Sequence, residues 1–193
     1  MIIRKATLKD SESIVSYLFL AMKEIVFRFI GEEDDSKAKS FLRHFVEKEN
    51  NQYSYQNCWV AEEQHEVIAA ANLYDGARLE ELRQPVTAYL KERFQQDVTP
   101  EDETQPGEYY IDTLGVREDQ QGKGVGSKIL QFLIDEYVVK NQQTLGLLVD
   151  EENPGAKKLY LKLGLKSVGK CKLVGKQMEH LQISSSSLAE AGG

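Results

Sequence analysis

Two rhythms of apolar and polar positions run along this chain, and the switches between them mark its elements. Residues 1–5 read as a short strand. Thr7 follows as an N-cap with Asp10 three residues on, close to a capping box. Behind it Ile14, Tyr17, Leu18, Ala21, Met22, Ile25 and Phe29 recur at helical spacing. A second helix fits 36–48, with Phe41, Leu42, Phe45 and Val46 on one side, and Asn50, Asn51 and Gln52 break it. The runs 58–61 and 67–73 read as strands around a polar turn at 62–66, a connection short enough to predict an antiparallel hairpin. Residues 109–116 form the next strand. A helix over 127–140 carries Ile129, Leu130, Leu133, Ile134 and Tyr137 on its apolar side, and 144–149 is again a strand. The helix at 154–163 is bounded by Asn153 and Gly164, residue types that suit the N-cap and C′ positions, with Pro154 at its first turn. Two closing strands fit 165–173 and 177–183.

This order predicts an α/β (α+β) fold: a mixed, mostly antiparallel central sheet flanked by helices, in one domain over 1–183. Residues 76–107 interrupt it. Their first part, 77–96, is helical in character despite Pro85, and 97–107 is acidic, holds two prolines and reads as loop. The whole is expected to lie over the surface as an insertion, shaping an acceptor pocket or a dimer contact. Residues 184–193 open with four serines and are expected to form a flexible tail.

Composition narrows the function classes. At 193 residues the chain suits one domain, and 41% hydrophobic with 28% charged residues is an ordered, globular balance. A net charge of −7, from 24 basic and 31 acidic residues, argues against general nucleic-acid binding. Two cysteines are too few for a disulfide framework or a four-cysteine zinc site. His44, His65 and His180 lack the spacing of a zinc helix, so no metal is expected. No run has the apolar length of a membrane span, and residues 1–7 lack the order of a signal peptide. A reduced, cytoplasmic protein is the expectation. Serine-hydrolase chemistry lacks its Gly-x-Ser-x-Gly elbow. The run Glu101-Asp102-Glu103 reads as a solvated loop, with attraction of a cationic substrate as its functional alternative.

The densest chemical signal is Gln121-Gly122-Lys123-Gly124-Val125-Gly126-Ser127, where a strand runs into three glycines and a helix opens at once. Glycine permits positive φ and lets a ligand approach backbone N–H groups at a helix N-terminus, so a phosphate or pyrophosphate is the natural ligand. Lys123 adds a positive charge. A Walker loop fails, because Gly124 is followed by Val125 rather than Lys. A dinucleotide fingerprint fails as written, since its third glycine would fall on Ser127, though Asp150 could supply the acid that reading wants. The pattern Gln/Arg-x-x-Gly-x-Gly/Ala is met by Gln121, Gly124 and Gly126.

With that loop, the strand end Leu114-Gly115-Val116, the later run Asn153-Pro154-Gly155-Ala156-Lys157-Lys158-Leu159-Tyr160 and Leu163-Gly164-Leu165, the chain resembles the GNAT N-acetyltransferase family over residues 1–183. Leu165 stands where Phe is commoner. The resemblance implies acetyl-CoA as cosubstrate and transfer of its acetyl group to a primary amine of a small molecule or protein by direct attack. It implies that backbone N–H groups over 121–127 hold the pyrophosphate, that Leu114 and Val116 pair with the pantetheine arm, and that the flanking strands part to admit it. An N–H near Leu114 would polarise the thioester. Asn153 and Ala156 would lie near the cofactor. Spacing alone makes Tyr160 a core tyrosine; the resemblance makes it the acid that protonates the departing thiolate. The attacking amine must first lose a proton. Alternation puts Asp112 and Glu108 on one face of the strand, with Asp112 nearer the reaction and preferred as base. A non-catalytic acyl-CoA sensor of the same fold is the alternative.

Overall fold

In a computed structural model of the chain, which describes residues 1–191, the strands are β1 (Ile2–Lys5), β2 (Cys58–Glu63), β3 (Glu66–Asp75), β4 (Tyr109–Val116), β5 (Leu145–Asp150), β6 (Lys166–Leu173) and β7 (Lys176–Ile183). They form one sheet in the order β1-β2-β3-β4-β5-β7-β6. Every pairing is antiparallel except that of β4 with β5. The helices are α1 (Ser11–Ile30), α2 (Asp35–Val46), α3 (Leu79–Phe94), α4 (Val125–Leu133) with a π-helical continuation (Ile134–Lys140), α5 (Pro154–Lys162) and α6 (Ser185–Ala191). Gly192 and Gly193, the end of the expected tail, lie outside the described residues.

Local chemistry explains the entry into α1. The Asp10 carboxylate accepts the Thr7 N–H at 2.8 Å and two guanidinium N–H groups of Arg4 at 2.9 Å, tying β1 to the helix start. The Arg4 bonds hold the Asp10 carboxyl down at about 2. The two sheet faces carry separate cores. Leu18, Phe41, Leu42, Phe45 and Val46 of α1 and α2 cover one, and Ile129, Leu130, Leu133 and Val138 of α4 and its continuation cover the other. Each such side chain, fully buried, contributes about 1.5–3 kcal/mol.

The segment 76–107 departs from its expected place. Leu79, Leu82, Val86 and Leu90 of α3 are buried, and Val86 and Leu90 join the core of α1 and α2. The helix is therefore built into the domain rather than draped over it. Its apolar stripe recurs at helical spacing, and Pro85 leaves that stripe intact while removing one backbone donor.

Two irregularities open a space beside β4. Its parallel pairing with β5 covers only Tyr109, Tyr110 and Ile111, after which the strands part. On the other side Asn72 pairs with Thr113 but Leu73 pairs with Ile111, which leaves Asp112 as the extra residue of a bulge. Bulges re-aim side chains. Above them α1 is kinked at Met22, with φ −127° and ψ 24°. It lies so close to β4 that a Cβ on Gly115 would stand 2.0 Å from the Tyr17 carbonyl oxygen.

Candidate active site

The gap between β4 and β5 ends at the glycine loop. Gly122 and Gly124 adopt φ of +75° and +81°, which an L side chain resists, and nothing stands within 4 Å of where a Cβ would be. Among the described residues the backbone N–H groups of Gly122, Gly124, Val125, Gly126 and Ser127 have no acceptor, while Lys128 N–H already bonds to the Gly124 carbonyl. The unsatisfied donors of a helix N-terminus are thus gathered beside open space. Lys123 is exposed, and its N–H reaches the Gln120 carbonyl at 3.4 Å. The Gln121 side chain turns back and donates to the Val116 carbonyl at 3.0 Å, so it braces the strand end. Gly126 stacks α4 over Leu114 and Val116, at 3.7 and 3.8 Å from its would-be Cβ. These residues fit a pyrophosphate through main chain rather than side chains.

From Leu114 a cavity of about 360 Å³ runs inward under the kink of α1. Asn153 and Tyr160 line one part, and Gln52, Arg83, Glu103 and Asp112 line another. Asn153 caps α5 by accepting the Ala156 N–H at 3.1 Å. Tyr160 is half-buried, burial pushes its hydroxyl above the ordinary tyrosine value, and that hydroxyl has no partner among the described residues. A second hollow of about 420 Å³ shares Met22, Ile25, Leu173, Val174 and Met178 with the first and leads out between α1 and the β6–β7 turn.

The two carboxylates that alternation set side by side are separated. Asp112, turned by the bulge, faces the cavity and accepts hydrogen bonds from Gln52 Nε2 at 2.9 Å, the Tyr74 hydroxyl at 2.9 Å and the Thr113 hydroxyl at 2.7 Å. Glu108 does not line it. It is buried against β5 and β7, where Thr104, Gln182 and His180 bond to it at 2.6, 2.7 and 2.8 Å. Burial pushes its carboxyl up, but those bonds outweigh burial and hold it below the usual range. A carboxylate so fully engaged is poorly available as a base.

Sequence reasoning missed Glu103. The acidic run reads as a solvated loop, with attraction of a cationic substrate as its alternative, but the Glu103 side chain is only 12% exposed and lines the cavity beside Asp112. Arg83 from α3 brings it there. One guanidinium bonds to the Pro100 and Glu101 carbonyls and to the carboxylates of Asp102 and Glu103, at 3.1–3.2 Å. Burial, then the charge of Asp112, pushes the Glu103 carboxyl up to about 7, against the pull of Arg83. No spacing in the sequence announces this meeting of residues 52, 74, 83, 103 and 112. Gln52, read as part of a helix break, donates to both carboxylates.

Parted parallel strands, a loop of unpaired N–H groups and a cavity beneath them are the architecture of the acyl-CoA-dependent acetyltransferases. Residues 22–165 match the model of the Acetyltransferase (GNAT) family, and the chain belongs to that family. A crystal structure of an acetyltransferase is 30% identical, with a TM-score of 0.78, over 96% of this chain and 100% of that one. An N-acetyltransferase from Staphylococcus aureus Mu50 superposes with a TM-score of 0.80 at 20% identity, over 95% and 100% of the two chains. The structure of yncA from Salmonella typhimurium with its cofactor acetyl-CoA gives 0.56 at 16% identity, over 96% and 94%. These last two likenesses concern the fold. No curated protein sequence matches the chain. The protein is an acetyltransferase, and the donor its family uses is acetyl-CoA. Among the described residues no helix is long and apolar enough to cross a membrane, and no group of three or more His, Cys, Asp or Glu could hold a metal.

Proposed function

We propose that the protein transfers the acetyl group of acetyl-CoA to a primary amine by direct attack. The observation that carries this reading is one cavity lined together by Leu114, Tyr160 and the carboxylate of Asp112. Acetyl-CoA supplies an activated thioester. Backbone N–H groups over 121–127 hold its pyrophosphate, with Lys123 adding charge. Leu114 and Val116 offer the edge of β4 to the pantetheine arm as an added strand would. Asn153 and Ala156 stand at the start of α5 on the same side. A backbone N–H near Leu114 polarises the carbonyl. Asp112 meets the acceptor's ammonium and lets it lose a proton; Tyr160 returns a proton to the departing sulfur.

The acceptor is a small-molecule or protein amine. A spermidine N-acetyltransferase chimera shares the fold, with a TM-score of 0.59 at 15% identity, and its name supports an amine acceptor for such a scaffold. A cytoplasmic setting suits acetyl-CoA as donor.

The test is a thiol-release screen with acetyl-CoA across amine classes, run beside calorimetry with acetyl-CoA, CoA, NAD and ATP. Tight binding of acetyl-CoA and CoA with turnover on an amine is expected. Binding without turnover on any amine would favour the acyl-CoA sensor, and binding of NAD or ATP alone would sink both readings.

A further inference from the structure

We propose that Glu103, delivered by the 97–107 loop, is a second catalytic carboxylate: with Asp112 it forms a two-carboxylate receptor for the acceptor's ammonium group, and it takes the proton that the amine sheds before attack. The inference rests on the reading that a primary amine is the acceptor.

Geometry pairs the two groups. Gln52 Nε2 donates to Glu103 Oε1 at 2.7 Å and to Asp112 Oδ2 at 2.9 Å, so one nitrogen holds both carboxylates at the same wall of the cavity. The Tyr74 hydroxyl, 2.9 Å from Asp112, is 3.5 Å from Glu103. The charges do not balance. Arg83 is the cation against this pair, and it is shared with Asp102; among the described residues Asp112 has no ion pair. A buried, uncompensated carboxylate is costly, and a cation placed there removes the cost. The remaining wall includes Met22, Ile25, Phe29 and Tyr53. An ammonium group on an apolar stem matches both features.

The two carboxylates are not equivalent. Three neutral donors, from Gln52, Tyr74 and Thr113, bond to the Asp112 carboxylate. Glu103 is desolvated by burial and faces Arg83 from α3, Asp112 and Tyr110 from β4, Tyr74 from β3, Tyr53 ahead of β2, and Cys171 from β6. Its carboxyl, at about 7, is matched to proton transfer near neutral pH. In the step itself, one N–H bond of the ammonium breaks, its electron pair stays on nitrogen as the attacking lone pair, and an O–H bond forms on Glu103. Glu103 then releases the proton to solvent.

The experiment compares wild type with E103Q, which keeps the side chain's shape and removes its charge, and with E103D, which restores a carboxylate. Calorimetry uses n-butylamine, with n-butanol as the uncharged counterpart, and acetyl-CoA as the check on folding. E103Q is expected to bind acetyl-CoA like wild type, to bind n-butylamine more weakly, and to lose about 100-fold or more in kcat/KM for the amine found by the thiol screen. The ionisation near neutrality in the wild-type pH profile should vanish in E103Q and return in E103D. Equal n-butylamine binding by wild type and E103Q, or an unchanged kcat/KM, overturns the proposal. If E103Q fails to bind acetyl-CoA, the wild-type and E103D profiles decide: no ionisation near neutrality in either overturns it. Absence of turnover by wild type on every amine would instead sink the amine-transfer reading, and the n-butylamine titrations would still read the receptor directly.

Discussion

The site proposed for the donor is made of main chain, at the glycine loop, and the site proposed for the acceptor is made of side chains, in the cavity. At the donor end, N–H groups at Gly122, Gly124, Val125, Gly126 and Ser127 come from one unbroken stretch, and two positive φ angles arrange them. At the acceptor end, Gln52, Tyr74, Arg83, Glu103 and Asp112 converge from separate elements. The first kind of site tolerates side-chain change so long as the backbone keeps its path. The second depends on each member, because each satisfies or charges another. A family can thus keep one donor grip while remaking its acceptor wall.

Four substitutions press on that contrast. The largest effect is expected where the two ends meet. Y160F should cut kcat by about 100-fold or more while acetyl-CoA affinity in calorimetry stays put; undiminished turnover would remove Tyr160 from the chemistry. G124A comes next. An alanine in the left-handed region costs about 1–2 kcal/mol, so acetyl-CoA should bind about tenfold more weakly, although the added methyl meets nothing. Wild-type affinity in G124A would mean that the main-chain path is not what grips the donor.

A third effect reads the acceptor end through stability. The folded Glu103 carboxyl lies at about 7, above its ordinary value, so the folded state holds this proton more tightly than the unfolded chain does. Stability from this group is therefore present at mildly acid pH and lost as pH rises through neutrality, by about 1 kcal/mol or more. Melting curves should show wild type losing ground to E103Q between mildly acid and mildly alkaline buffer; parallel curves would remove the buried ionisation. The smallest effect belongs to K123A. An exposed lysine beside a main-chain grip should change acetyl-CoA affinity by only about threefold. A collapse of binding in K123A would put the grip in a side chain and erase the contrast.

Much of this was legible along the chain. The helical stripes of α1 and α2, the β2–β3 hairpin, the Asn153 cap of α5 and the glycine loop all appear as spacing, because each depends on neighbours within a turn or two. The placement of 76–107 was not legible. The stripe Leu79, Leu82, Val86, Leu90 shows a helix with an apolar side, but not that this side completes the core under α1 and α2. Nor does alternation along β4 reveal the bulge, which depends on how β3 and β4 register.

The sequence by itself determined the family, the order of elements and the glycine loop at the start of α4, since a turn of exposed N–H groups needs only local φ and ψ. Tertiary structure alone decided which carboxylates share the acceptor wall. Glu108 turned inward to His180 and Gln182, and Glu103 was drawn from an acidic loop by Arg83, because burial and charge pairing are settled between residues far apart in the chain.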